Sequence, residues 1–133
     1  MTEAVDPRRV VIADDDADMR MLVEIAVRRA GLELAAAAVD GDDALQAIRE
    51  HKPDLIVLDV SMPGMSGLDV CRLVRSEPSL AHIPVLLLSA GVSGASRQAG
   101  MQAGADDFMA KPFSPKLLST KLLDLAAGRA RSE

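Results

Sequence analysis

Four places in the chain carry the side chains best suited to chemistry. Asp14, Asp15 and Asp16 form an acidic run, Asp59 and Ser89 each close an apolar stretch, and Lys111 precedes a proline. Carboxylates gathered in one place repel each other and need a cation. Oxygen ligands favour a hard cation, and a small open cluster that keeps waters and shares a phosphate suits Mg2+. A lysine can then hold one phosphoryl oxygen as a point charge, and a hydroxyl can hydrogen-bond another. A carboxylate beside the metal can itself be the nucleophile that takes the phosphoryl group. The chemistry on offer is phosphoryl transfer, provided that the fold brings these positions together.

The elements between them supply that condition. Val10-Val11-Ile12-Ala13, Leu55-Ile56-Val57-Leu58 and Val85-Leu86-Leu87-Leu88 are continuous apolar runs, as expected of strands buried on both faces. Leu32 to Val39 and Asp107 to Ala110 are weaker strand candidates. The run Ala35 to Ala38 has better helix than strand propensity and is assigned by spacing. Helical periodicity fills the intervals. Met19, Leu22, Val23, Ala26, Val27 and Ala30 recur at spacings of three and four, with Gly31 as a stop. A second helix surrounds Ala44 to Ile48, and a third surrounds Leu68 to Val74. The last runs through Leu117 to Leu125, with Ser114 as N-cap and Pro115 at its first position.

The order is β-α repeated five times. It predicts a single doubly wound α/β domain: a five-stranded parallel sheet of flavodoxin-like order 2-1-3-4-5 with helices on both faces. All C-terminal strand ends then share one edge, and ligands bind where the strand order reverses. Asp14, Asp15, Asp59, Ser89 and Lys111 converge on that crevice. The expected organisation is a flexible N-terminus over 1–8, one domain over 9–127 and a short tail over 128–133.

Composition narrows the function further. Of 133 residues only Phe108 and Phe113 are aromatic, and the formal charge is -5. A base-stacking platform needs aromatics, and a phosphate-backbone partner needs basic charge, so nucleic-acid binding by this chain itself is not expected. Cys71 is the single cysteine and cannot pair internally, which suits a reducing compartment. No apolar run approaches the roughly 18 residues of a membrane span, and the start of the chain lacks a secretory pattern. A cytoplasmic setting without membrane association is expected. The alternating Asp14, Asp16 and Asp18 could suggest a calcium loop. Met19 and Ile25 stand where that loop needs Gly and Glu, so the suggestion fails. Asp14 to Asp18 could also be helix-capping acids, and Asp16 and Asp18 are assigned to that role.

Five fragments together carry a family resemblance: Ile12-Ala13-Asp14-Asp15-Asp16, Leu58 to Gly67, Leu88-Ser89-Ala90, Gly104 to Phe108, and Lys111-Pro112-Phe113. In order and spacing the chain resembles the receiver domain of bacterial two-component response regulators, similar to the single-domain chemotaxis type, over Val10 to Ala127. The resemblance implies that Asp59 is the phosphoacceptor. It implies that Asp14, Asp15, Asp59 and the backbone carbonyl of Ser61 hold Mg2+ (or Mn2+). Ser89, the Ala90 backbone and Lys111 would bind the phosphoryl group. Ser89 and Phe108 would form the switch, and the Lys111-Pro112 bond would be cis. The implied donor is a histidine kinase or phosphotransfer protein. The implied reader is a downstream protein on the face of the fourth helix, fifth strand and fifth helix, with the chain a monomer or a phosphorylation-dependent dimer. The chain is not expected to be an enzyme beyond phosphorylating itself from small donors and dephosphorylating itself.

Departures from the pattern are few. Ala17 stands where the family often has Pro. Ser61 and Gly91 occupy positions that tune the lifetime of the phosphorylated form in the family. Gly94, Gly100 and Gly104 crowd the fourth helix, where an interior Gly costs about 1 kcal/mol relative to Ala. That helix is therefore expected to be short or easily deformed, with Gly104 at its end. The rival functions are a Mg2+-dependent phosphatase working through an aspartyl phosphate, suggested by the Asp14/Asp16 spacing, and a non-phosphorylated docking domain.

Overall fold

The computed structural model describes residues 8–90 and 94–127. Ten elements alternate: β1 (Arg9–Ala13), α1 (Ala17–Arg29), β2 (Glu33–Ala38), α2 (Gly41–His51), β3 (Leu55–Asp59), α3 (Gly67–Ser76), β4 (Val85–Ser89), α4 (Gly94–Gln102), β5 (Asp107–Ala110) and α5 (Pro115–Ala126). The strands form one parallel sheet in the order β2-β1-β3-β4-β5. The Ala35 to Ala38 run does lie in a strand. Its backbone is fixed by pairing with β1, which overrides its helix propensity. Residues 1–7 of the expected N-terminal segment 1–8, the tail 128–133 and Gly91 lie outside the described residues.

The apolar runs are continuous because both faces of the sheet are covered. Val11, Ile56, Leu58, Val85, Leu87 and Phe108 face one core, with the apolar sides of α2 and α3. Val10, Ile12, Leu55, Val57, Leu86 and Leu88 face the other, against α1 and α5. The alternation follows the two-residue period of a strand.

Helix ends follow the capping chemistry of the sequence. Asp16 caps α1, accepting from the backbone N–H groups of Asp18 and Met19. Ser66 and Asp69 form a reciprocal capping box on α3. Ser114 caps α5 with Pro115 following. Gly31 and Gly104 take positive φ beyond α1 and α4. Lys111-Pro112 is cis.

Two expectations change. Phe108 is a member of a core that the apolar runs alone would make wholly aliphatic, and is 5% exposed. Gly100 is not simply a weak point of α4. A Cβ there would stand 3.0 Å from Leu87 Cδ1 and 3.2 Å from Phe108 Cδ2. The missing side chain lets α4 lie directly on β4 and β5. Gly100→Ala is therefore expected to forfeit the usual helix gain and destabilise the protein by about 1 kcal/mol, through overpacking of Leu87 and Phe108. Urea unfolding followed by circular dichroism measures this; a stabilisation of similar size would mean that α4 is free to lift away.

Candidate functional site

The sheet register places the chemical residues side by side. Ala13 pairs with Leu58, so Asp14 and Asp59 leave adjacent strands together. Asp59 pairs with Leu88, one residue before Ser89, and Ser89 pairs with Ala110, one residue before Lys111. The order reverses between β1 and β3, which is where the acids meet.

Asp14, Asp15 and Asp59 each offer a carboxylate oxygen within 4.8 Å of the others. Asp14 and Asp59 are buried at 1% and 4% exposure, while Asp15 is exposed. Lys111 bridges the buried pair, with Nζ 3.0 Å from Asp14 Oδ2 and 3.2 Å from Asp59 Oδ1. The lysine backbone is anchored too, its N–H donating to the Ser89 carbonyl at 2.7 Å. Asp14 Oδ1 accepts from the Asp16 N–H at 3.0 Å, and the Asp14 carbonyl accepts from Arg20 Nη1 at 2.8 Å.

The electrostatics are unbalanced. Burial, followed by the charge of Asp14, raises the Asp59 pKa to about 6, against the pull of Lys111 and a hydrogen bond from the Ser61 backbone N–H. Burial also works against the Lys111 ammonium. Its hydrogen bond to Asp14 and the charges of Asp59 and Asp14 outweigh that, and its pKa is raised. Hard oxygen donors clustered around too little positive charge are chemically suited to a divalent cation. The donor set fits Mg2+.

Contacts around the site extend beyond the residues named from sequence. Gly67, the first residue of α3, has no room for a side chain: a Cβ would lie 2.3 Å from the Asp59 carbonyl oxygen. Its N–H donates to the Val60 carbonyl at 2.9 Å, fastening the loop after Asp59. Arg20 is the other unforeseen neighbour. It sits on the polar side of an amphipathic helix, and its contact depends on where that helix lies. Ser89 and Phe108 share a cavity of about 270 Å3, with Val60, Leu68, Ser96 and Ala99 completing its wall. The Arg97 guanidinium lies 5.5 Å above the Phe108 ring. Ser61 and Ala90 are exposed at the rim. Cys71 is fully buried, and burial pushes its thiol pKa up to about 11, as expected of an unreactive core group. His51 is half-buried, its Nδ1 accepting from the Arg9 guanidinium at 3.2 Å.

The raised Asp59 pKa has a stability consequence. Between the unfolded value of about 3.9 and the folded value of about 6, the folded state binds more protons than the unfolded one. Stability is lost as pH rises through that window and stays lost above it. Without metal, Asp59→Asn is expected to be more stable than the parent by about 1–2 kcal/mol at pH 7.5 and indistinguishable below pH ~4. Thermal unfolding across that pH range would show it, and a variant that is less stable at pH 7.5 would contradict it.

Comparison with known proteins agrees with this geometry. Residues 10–123 match the family model of the response regulator receiver domain. DNA-binding response regulator MtrA of Mycobacterium tuberculosis is 38% identical over 115 residues, which are 86% of this chain and 49% of that protein. The chain thus spans about half the length of the curated relatives it matches. Among solved structures, the receiver domain of the response regulator NarL from Mycobacterium tuberculosis superposes with a TM-score of 0.87 at 36% identity, covering 94% of this chain and 100% of that one. The chemotaxis regulator CheY4 of Vibrio cholerae superposes with a TM-score of 0.83 at 31% identity, covering 90% and 99%. No helix among the described residues is long and apolar enough to cross a membrane. With its 2-1-3-4-5 sheet and an acid cluster at the strand ends, the chain belongs to the receiver domains of two-component response regulators, a signalling family.

Proposed function

We propose that residues 9–127 act as a phosphorylation switch with Asp59 as acceptor. The observation that carries the reading is the buried Asp59 carboxylate, clustered with Asp14 and Asp15 and bonded to Lys111. A carboxylate oxygen of Asp59 attacks phosphorus and forms a P–O bond. The bond from phosphorus to the donor breaks, releasing the imidazole of a histidine kinase or phosphotransfer protein, or acetate from acetyl phosphate. Mg2+ (or Mn2+), held by Asp14, Asp15, Asp59 and the Ser61 carbonyl, would neutralise charge on the transferring group. Lys111 turns from the carboxylates to one phosphoryl oxygen, and Ser89 Oγ and the Ala90 N–H take the others.

The readout follows from the cavity beside Ser89. Movement of Ser89 toward the phosphoryl oxygens enlarges it, and the Phe108 ring shifts into the space. Because Phe108 also packs on Gly100, that shift repositions α4 and the α4-β5-α5 face on which a downstream protein docks. Phe108 has no hydroxyl and reports its position by packing alone. The switch operates in the cytoplasm, as a monomer or a phosphorylation-dependent dimer. It phosphorylates itself from small donors and dephosphorylates itself. MtrA is named as DNA-binding; where this receiver is joined to such an output segment, DNA binding belongs to that segment. The phosphatase reading finds less support, because Asp16 is engaged in capping α1.

Incubation with acetyl phosphate and Mg2+ is expected to place one phosphoryl group on the parent and none on Asp59→Asn, read by intact mass. Lys111→Met is expected to slow incorporation by about 100-fold through loss of the charge-stabilising donor. Phosphate on Asp59→Asn refutes the acceptor assignment, and sustained turnover of phosphomonoesters favours the phosphatase.

A further inference from the structure

We infer that Arg20 is a positioning residue for the acid pair, holding the peptide plane between Asp14 and Asp15 so that both carboxylates face one divalent cation. This rests on the reading that these acids hold the metal. Asp14 lies past the end of β1, and Asp15 and Asp16 lead into α1. The Asp14 N–H still reaches the Ala38 carbonyl at 3.1 Å, and its carboxylate is fixed by Asp16 and Lys111. Its carbonyl oxygen is held from α1 instead, by Arg20 Nη1 at 2.8 Å.

That oxygen belongs to the peptide unit whose nitrogen is Asp15's. A peptide unit is planar, so fixing its oxygen restrains the torsions on both sides, ψ of Asp14 and φ of Asp15. Asp14 is pinned in several other ways. Asp15 is not: its carboxylate is exposed, and among the described residues no hydrogen bond is made to it. The direction of the Asp15 side chain therefore depends on its backbone, which is held on its C-terminal side by the Asp16 N–H bond to Asp14 and on its N-terminal side by Arg20. A charged donor on a largely buried carbonyl makes a strong, short restraint.

The sign of the effect separates positioning from charge alone. Arg20 is a cation close to a cation site. If it acted only through its charge, its removal would tighten Mg2+ binding. If it positions the acids, removal weakens it. Alanine is the better helix former, so Arg20→Ala leaves α1 intact. Lysine keeps a charge and a donor but lacks the rigid fork, and should rescue in part.

The test is a MgCl2 titration of the 133-residue chain and its Arg20→Ala and Arg20→Lys variants, followed by backbone amide NMR shifts. Arg20→Ala is expected to raise the Mg2+ dissociation constant about 10-fold, at the lower end of losses seen when groups supporting metal ligands are removed, with Arg20→Lys between it and the parent. The Mg2+ concentration for half-maximal phosphorylation by acetyl phosphate should rise by the same factor, and the difference in rate should close as Mg2+ saturates. Equal or tighter binding by Arg20→Ala, with the parent binding normally, overturns the role of Arg20 alone. A parent that does not bind Mg2+ overturns the metal assignment and the inference together.

Discussion

The structure is organised around a charge imbalance. Two nearly inaccessible carboxylates, Asp14 and Asp59, share one lysine, and a third carboxylate, Asp15, stands at the rim. In water such acids would separate or stay fully hydrated. Here Asp14 and Asp59 are fixed at strand ends and can do neither. The result is a site whose ionised carboxylates are electrostatically costly, with burial and the charge of Asp14 raising the Asp59 pKa. On the proposed function a cation would relieve it, and a phosphoryl group brought in with that cation would give Lys111 a new partner.

Holding that imbalance is the work of the surrounding fold. The parallel ladder keeps β1 and β3 in register, so the acids cannot slide apart. Both faces of the sheet are sealed by apolar cores, which keeps water from the strands beneath the site. Gly67 brings α3 against the Asp59 carbonyl, and the Lys111 N–H bond to the Ser89 carbonyl ties the lysine to β4. The second tie also links the charge cluster to the cavity shared by Ser89 and Phe108. Through Gly100, a change in that cavity reaches α4 by direct contact, without a long relay.

Much of this was legible from sequence because it rests on period and position. Runs such as Leu55 to Leu58 must be buried on both faces, and their ends must meet on one edge; Asp59 and Ser89 follow from that, while Lys111 follows a weaker strand signal and needs its Lys-Pro-Phe context as well. Capping by Asp16 and Ser114 is local and easily read. What stayed hidden depends on how helices sit on the sheet. Gly100 looks like a helix defect until Leu87 and Phe108 are seen beneath it. Gly67 looks like a turn residue until the Asp59 carbonyl is seen 2.3 Å from where its Cβ would be. Arg20 looks like an ordinary surface residue, since nothing in its spacing reveals a bond to the backbone six residues earlier. The burial of Phe108 was hidden for the same reason, because a four-residue strand pattern does not show which helix covers it.

The central claim is that the acid cluster is held short of positive charge until a divalent cation completes it. The most direct measurement is the titration of the Asp59 carboxyl carbon by NMR, with and without Mg2+. A midpoint near the value of about 6 without metal, falling markedly when Mg2+ is added, is the expected result. A midpoint at the ordinary carboxylate value of about 3.9, unmoved by Mg2+, would contradict it.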